Sequence, residues 1–124
     1  MGMRSFGVGI AVKNNLEAVE FYMKVFGLEL GVYEKFPDGT YMHAVLKKNG
    51  KEVFSVSNLL NDFDAEKQII SFGVHFDSEA EVREAFRLLS EGGIVKEPVG
   101  AVPWSPCCAS VIDKFGVTWW SSVS

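Results

Sequence analysis

Two histidines and two adjacent cysteines are the residues of this sequence best suited to chemistry. His43 and His75 could each bind a transition metal or orient a bound ligand through a hydrogen bond. Cys107 and Cys108 could attack an electrophile as thiolates, but only beside a base or with a lowered pKa. The segments that flank them, Trp-Ser-Pro and Ala-Ser, supply no base. We therefore expect two buried, inert thiols, with a strained vicinal disulfide as the alternative.

Aromatic side chains form the second group, because they could bind a flat organic molecule by stacking. The candidates are Tyr41, Trp104, Trp119 and Trp120. Adjacent residues of a strand point to opposite faces, so only one of Trp119 and Trp120 can pack against a helix. No Ser-His-Asp order or phosphate-binding loop accompanies these residues, and Gly7-Val8-Gly9 lacks the third glycine of a dinucleotide-binding fingerprint.

The elements that would position these side chains occur twice along the chain. Ser5-Phe6-Gly7-Val8 recurs letter for letter as Ser71-Phe72-Gly73-Val74, and each copy leads through a capping stretch into an amphipathic helix. In each copy bulky residues alternate with small ones, which predicts a strand with one packed face and one bare face. The repetition predicts two copies of one supersecondary unit.

The first half is predicted to fold as one strand, one helix and three further strands. A capping box of Asn14 and Glu17 begins the helix, and Gly27 ends it. The predicted apolar stripe is Leu16, Val19, Met23 and Phe26, and the predicted strands are Phe6–Val12, Leu28–Lys35, Thr40–Lys48 and Lys51–Ser57. Turns at Pro37-Asp38-Gly39 and Asn49-Gly50 join the last three strands.

The second half repeats this order. Its first strand has bulky Phe72, Val74 and Phe76 on one face and Ser71, Gly73 and His75 on the other, and its helix stripe is Val82, Ala85, Phe86 and Leu89. Ser78 and Glu81 form the second capping box, and Gly92-Gly93 stops the helix. The remaining strands are predicted near Ile94–Val99, Cys107–Ile112 and Val117–Val123. Three prolines confine residues 99–106 to an edge or a loop.

These elements predict an α+β fold made of two βαβββ modules in a single domain of 124 residues. The modules span about residues 4–57 and 69–124, and a polar linker spans 58–68. A net charge of −4, with no basic cluster beyond Lys47-Lys48, argues against nucleic acid as a partner. No apolar run reaches membrane-spanning length and no secretory signal is visible, so we expect a cytoplasmic protein without a membrane partner.

Two motifs carry a resemblance to a known superfamily. They are the helix segment Glu17-Ala18-Val19-Glu20-Phe21-Tyr22 with Val25-Phe26-Gly27, and the ending Asp113-Lys114-Phe115-Gly116-Val117-Thr118-Trp119. Their order and spacing resemble the vicinal oxygen chelate superfamily, which includes glyoxalase I, bleomycin-resistance proteins and extradiol dioxygenases. The ending is similar to that of the PhnB-like branch, with Lys114 where proline is usual. The resemblance implies curved mixed sheets that form a cleft, and a homodimer.

The resemblance also implies where a metal would bind, and the residues there are unsuitable. Family members take their ligands from the first strand of each module and from the last strand. In this chain those positions map to Gly7, Ser71 and Trp120, which offer no good donor to a transition metal. We therefore expect no metal cofactor. The alternative is a lyase or dioxygenase that binds a divalent metal through His43, His75 and a carboxylate.

The bare strand faces suggest a cleft that binds a small organic ligand. The residues proposed to line it are His43, His75, Trp104, Trp120, Tyr41 and Cys108. Trp120 could instead fill the empty metal position, which would make the chain a structural or interaction module. The PhnB-like branch sometimes carries a methyltransferase label, but this sequence contains no methyl-donor motif.

Overall fold

A computed structural model describes residues 2–59 and 70–123 of the chain. The chain divides into two compact units, Met1–Asn61 and Asp62–Ser124. Each unit consists of a four-stranded mixed sheet and one helix, in the order βαβββ. The predicted α+β class and the two βαβββ modules are therefore confirmed. Most of the predicted linker, residues 60–68, lies outside the described residues.

The first unit has one parallel and two antiparallel strand pairs. Its elements are β1 (Gly9–Val12), α1 (Asn15–Phe26), β2 (Glu29–Lys35), β3 (Tyr41–Lys48) and β4 (Lys51–Asn58), with sheet order β1-β4-β3-β2. β1 runs parallel to β4, and the other pairs are antiparallel. The core lies between the sheet and α1, where Val12, Leu46 and Val56 are fully buried with Val19 and Tyr22 of the helix.

The buried face of α1 differs from the predicted stripe. Leu16 is 40% exposed, whereas Asn15 is fully buried. The Asn15 side-chain amide donates to the carbonyl oxygen of Tyr41 at 2.8 Å, and its oxygen accepts from the Tyr41 N–H at 3.0 Å. Because this pair of bonds turns Asn15 toward β3, the helix is rotated relative to the apolar pattern. The predicted placement of Leu16 in the core is wrong.

The two helices begin differently. The side chain of Ser78 accepts from the backbone N–H of Glu81 at 3.3 Å, which is the first bond of the predicted capping box. The Glu81 carboxylate accepts from the Ser78 hydroxyl at 3.0 Å and not from its backbone N–H. Asn14 is the N-cap residue of α1, but its side chain makes no capping hydrogen bond and donates instead to the Glu17 carboxylate at 2.8 Å. The backbone angles at Asn14, φ −102° and ψ 69°, are not the extended values usual for a capping residue.

The first strand is shorter than predicted. Its ladder begins at Gly9, which pairs with Ser55, and Val8 contributes one further bond by accepting from the Ser55 N–H at 2.9 Å. Phe6 is 81% exposed and packs in no core. Phe72, the phenylalanine of the second copy of the tetrapeptide, lies two residues closer to its helix than Phe6 does. It is part of a strand, with its ring 5.6 Å from that of Trp119. The alternation that predicts both strands therefore identifies only one of the two phenylalanines as a packed residue.

The second unit has the same topology. Its elements are β5 (Phe72–Phe76), α2 (Glu79–Ser90), β6 (Ile94–Val102), β7 (Ser105–Ile112) and β8 (Thr118–Val123), with sheet order β5-β8-β7-β6. β5 runs parallel to β8. Val82, Ala85 and Leu89 of α2 are buried, in agreement with the predicted stripe.

The strands β6 and β7 extend into residues 99–106, which the prolines were expected to confine to an edge or a loop. Pro106 lies in β7, a central strand, although it cannot donate to a ladder. The pairs Gly100 with Cys108 and Val102 with Ser105 bracket a register shift at this proline. A bulge residue leaves the ladder, so the missing N–H costs no hydrogen bond. Pro98 lies at a similar shift in the edge strand β6.

Candidate functional site

Trp119 and Trp120 lie on opposite faces of β8, and the last turn fixes which residue faces which way. The Asp113 carboxylate accepts from the N–H groups of Phe115 and Val117 through one oxygen, at 2.9 and 3.0 Å. Its other oxygen accepts from the Trp119 indole N–H at 2.7 Å. Trp119 is 2% exposed and packs on the helix side of the sheet. Trp120 therefore points to the side away from α2, which we name the helix-free face.

The strand register defines the neighbours of Trp120 on this face. Gly73 of β5 and Ser110 of β7 pair directly with Trp120, one on each side. In the next row, His75 and Cys108 pair with Ser122 in the same way. The residues on the helix-free face of these three adjacent strands are Gly73 and His75 of β5, Thr118, Trp120 and Ser122 of β8, and Cys108, Ser110 and Ile112 of β7.

The two sides of Trp120 differ in accessibility. Ser110 is 7% exposed, so the β7 side is covered. A Cβ atom built on Gly73 would have no heavy atom within 4 Å, so the β5 side is open. Trp120 itself is half-buried. An aromatic wall with free space on one side is suited to a flat ligand, which could contact the indole while it lies over the glycine.

Two polar side chains, His75 and Thr118, lie on the same face as Trp120. The Nδ1 atom of His75 lies 3.1 Å from the Ser122 hydroxyl oxygen, and His75 is otherwise exposed. Thr118, on the other side of Trp120 along β8, has a buried hydroxyl that makes no hydrogen bond within the described part of the chain. An unsatisfied buried hydroxyl costs about 1–3 kcal/mol.

Cys108 lies on the helix-free face, but its thiol is unsuited to nucleophilic chemistry. Burial raises the pKa of the Cys108 thiol, and the neighbouring Cys107 and Glu97 raise it further. A raised pKa keeps the sulfur protonated at neutral pH, and the thiol is a far weaker nucleophile than the thiolate. Both cysteines are buried and carry free thiols.

The other candidate residues lie elsewhere. His43 is in the first unit, where it pairs with Ser57 and Glu34 on the face of the sheet away from α1. Tyr41 lies on the opposite side, buried, with its ring 5.6 Å from that of Tyr33. A bulge at Met42 separates it from His43 and breaks the alternation that would place both on one face. Trp104 is in the turn between β6 and β7 and is 74% exposed.

Two anchoring residues, one in each unit, were missed by sequence reasoning. Asn15 anchors the start of β3, and Asp113 orients the tryptophan pair. A polar residue inside an apolar helix pattern was the available signal for Asn15. The motif around Asp113 was noticed, but its function as a turn anchor depends on bond directions that the sequence does not give.

The donor set of the superfamily's metal does not fit this chain. Gly7, Ser71 and Trp120 occupy the positions that would supply the ligands. Residues 2–59 and 70–123 contain no group of three His, Cys, Asp or Glu residues arranged to hold an ion. His43 and His75 belong to different units. The absence of a metal cofactor stays a prediction.

The fold is that of the glyoxalase and bleomycin-resistance proteins. The PhnB protein from Bacillus cereus is 23% identical with a TM-score of 0.81, over 98% of this chain and 100% of that one. Protein PA1353 from Pseudomonas aeruginosa is 24% identical with a TM-score of 0.77, over 97% and 98% of the two chains. A glyoxalase-related enzyme from Fulvimarina pelagi is 16% identical with a TM-score of 0.70, over 98% and 89%.

The chain belongs to the family described as 3-demethylubiquinone-9 3-methyltransferase, whose model matches residues 10–121. The predicted kinship with PhnB-like proteins is therefore confirmed. A search of curated proteins gave no match. Among the described residues, no helix has the length and apolar character needed to cross a membrane.

Proposed function

We propose that the protein binds a small, flat organic molecule on the helix-free face of the second unit, with Trp120 as the wall of the site and without a resident metal. One observation carries this proposal. Trp120 pairs directly with Gly73, where an added Cβ atom would meet nothing within 4 Å. Because apolar, aromatic surface next to free space is a common feature of ligand sites, a bound ring is the simplest use of this arrangement. Tyr41 and Trp104 take no part in the proposed site.

Two matched tryptophan variants test the proposal. A panel of planar aromatic compounds should raise the melting temperature of the wild-type protein and change its tryptophan fluorescence. Trp120→Ala should abolish both responses, while Trp104→Ala should keep them because Trp104 is exposed in a hairpin turn. A response that survives Trp120→Ala would refute the site. No response from any compound would favour the rival in which Trp120 serves only as a filler.

The rival enzyme of lyase or dioxygenase type makes a separate prediction about metal content. It needs one divalent ion per chain, held by His43, His75 and a carboxylate. We expect elemental analysis of purified protein to give well below one equivalent of any transition metal. A stoichiometric ion that is lost in both His43→Ala and His75→Ala would contradict the metal-free proposal.

The family description refers to methyl transfer, which requires a methyl donor beside the acceptor. The sequence contains no methyl-donor motif, so we propose ligand binding and not methyl transfer. S-adenosylmethionine therefore belongs in the compound panel as a control, and we expect it to leave the melting temperature unchanged. A shift with this compound would favour the transferase over the binder.

We also propose that the protein is a cytoplasmic homodimer. The superfamily resemblance supports the dimer, and the two free cysteines fit a reducing compartment. Light scattering should give twice the mass of 13.7 kDa at micromolar concentration. A monomer under those conditions would refute the dimer without affecting the ligand site.

A further inference from the structure

We infer that the ligand is an uncharged planar molecule with a hydroxyl group, which lies over Gly73 against Trp120 and directs its hydroxyl toward His75. This inference rests on the proposed function and adds the chemical class of the ligand. It depends on three properties of the helix-free face, namely its shape, its polar end and its charge.

The shape comes from one missing side chain. Gly73 pairs with Trp120 across β5 and β8, and paired strands lie about 4.8 Å apart. A Cβ on Gly73 would meet nothing within 4 Å, so the backbone of β5 forms a flat floor beside the indole. Glycine inside a strand weakens it, because it contributes no packing and has more conformational freedom to lose. That cost is compensated if the vacant space serves a ligand.

The polar end comes from His75. It lies two residues beyond Gly73 on the same face, about 6.6 Å along the strand, so it faces the edge of a ring placed over the glycine. Its Nδ1 atom lies within hydrogen-bond distance of the Ser122 hydroxyl, and no described residue makes a hydrogen bond to Nε2. If Nδ1 carries the proton, Nε2 accepts a hydrogen bond, and in the other tautomer it donates one. A hydroxyl group can both donate and accept, so it suits either tautomer.

The face offers no fixed charge with which to bind an ionic ligand. β5, β7 and β8 contain no Lys, Arg, Asp or Glu. The charged residues of the sheet are Lys96 and Glu97, both in the edge strand β6. Three strand spacings separate β6 from β5, so Glu97 lies about 14 Å from Gly73. Apart from the imidazole of His75, these three strands offer no group of opposite charge to a phosphate, carboxylate or ammonium group bound over Gly73, which would lose water there.

A matched set of naphthalene compounds tests the class of ligand by isothermal titration calorimetry. The set is 2-naphthol, 2-methylnaphthalene, 2-naphthoate and 2-(aminomethyl)naphthalene, which share one ring system and differ in a single group. We expect 2-naphthol to bind about tenfold tighter than each of the others, since one hydrogen bond is worth up to about a factor of ten. In His75→Ala, the advantage over 2-methylnaphthalene should disappear.

Two glycine variants test where the ligand binds on the helix-free face. Gly73→Val should weaken 2-naphthol binding at least about tenfold by filling the floor, without loss of folded stability, because valine is favoured in strands. Gly100→Val is the control, since Gly100 has equal free space but lies in β6. It should leave binding unchanged.

The outcomes separate this inference from the function on which it rests. If the four compounds bind equally, and Trp120→Ala abolishes their binding, the protein is a binder but the inferred ligand class is wrong. Unchanged 2-naphthol binding in a folded Gly73→Val variant would show that the ligand does not lie over Gly73. If none of the compounds binds the wild-type protein, the inference fails. Failure of the wider aromatic panel as well would overturn the proposed function.

Discussion

The Asp113 carboxylate has a structural function, because hydrogen bonds from the last turn and from β8 occupy both of its oxygens. It is 3% exposed and accepts from two backbone N–H groups and the Trp119 indole. A carboxylate whose oxygens are occupied in this way is not available as a ligand or a base. The ending motif shared with PhnB-like proteins therefore identifies the turn that orients Trp119 and Trp120, and not a catalytic group.

Removal of the Asp113 charge should destabilise the protein. Asp113→Asn replaces one acceptor oxygen with a donor, so at least one buried N–H loses its partner. We expect the free energy of unfolding to fall by about 2–3 kcal/mol, measured by urea denaturation. Asp38→Asn is the control, because Asp38 makes similar bonds to Thr40 in an exposed turn and should cost less than about 0.5 kcal/mol. Equal losses in the two variants would contradict this assignment.

The Cys108 thiol should make stability fall at alkaline pH. Burial raises its pKa in the folded protein above the ordinary value of 9.0. The unfolded chain therefore loses this proton first, and stability declines as the pH rises from the ordinary pKa toward the folded pKa. We expect the stability difference between wild type and Cys108→Ala to shrink above about pH 9. A constant difference from neutral to alkaline pH would show that the thiol is not perturbed.

At the scale of single residues, alternation along strands predicted some orientations and not others. It required Trp119 and Trp120 to diverge, and the structure shows which one is buried. It failed for Tyr41, because the bulge at Met42 inserts one residue and reverses the expected face. A bulge depends on how two strands pair, which the sequence of one strand does not contain.

At the scale of elements, α1 is positioned by a buried polar contact rather than by its cap. Asn15 bonds to both backbone groups of Tyr41, while the side chain of the adjacent Asn14 bonds to exposed Glu17. The apolar stripe predicted the existence and length of the helix well. Its rotation was predicted less well, because Asn15 was not recognised as a core residue.

The two asparagines should respond differently to replacement. Asn15→Ala leaves a buried N–H and a buried carbonyl oxygen of Tyr41 without partners, so we expect a loss of about 2–3 kcal/mol in unfolding free energy. Asn14→Ala should cost less than about 0.5 kcal/mol, since no capping bond is lost. Thermal and urea denaturation of the pair would measure the contrast. A larger loss for Asn14 would show that its side chain does cap the helix.

Gly93 is required by a close approach between elements of the second unit. A Cβ at this position would collide with the carbonyl oxygen of Ile112 and lie 3.1 Å from the Cα of Asp113. Gly93→Ala should therefore lower the unfolding free energy by about 1–3 kcal/mol. Gly100→Ala, with no atom within 4 Å of the new methyl group, should be nearly neutral in the same denaturation assay. Equal effects would mean that the backbone of Ile112 can move without cost.

At the scale of the whole molecule, duplication was the most informative property of the sequence. The repeated order of strand, helix and three strands predicted two units of one topology, and the strand orders β1-β4-β3-β2 and β5-β8-β7-β6 match it. The site was less predictable. Periodicity predicted Gly73 and His75 on one strand face, and the family resemblance predicted Trp120 in the cleft. The free space beside Gly73 and the hydrogen bond between His75 and Ser122 depend on side-chain directions, which neither gives.

The most direct test of ligand binding at Trp120 is an NMR titration of chelator-treated protein with 2-naphthol. Two-dimensional ¹H–¹⁵N spectra report each backbone amide and each indole N–H separately. We predict saturable shifts at the amides of Gly73 and His75 and at the Trp120 indole, with the Trp104 indole unchanged. Shifts confined to the first unit, or shifts that require an added divalent metal, would contradict the proposed site.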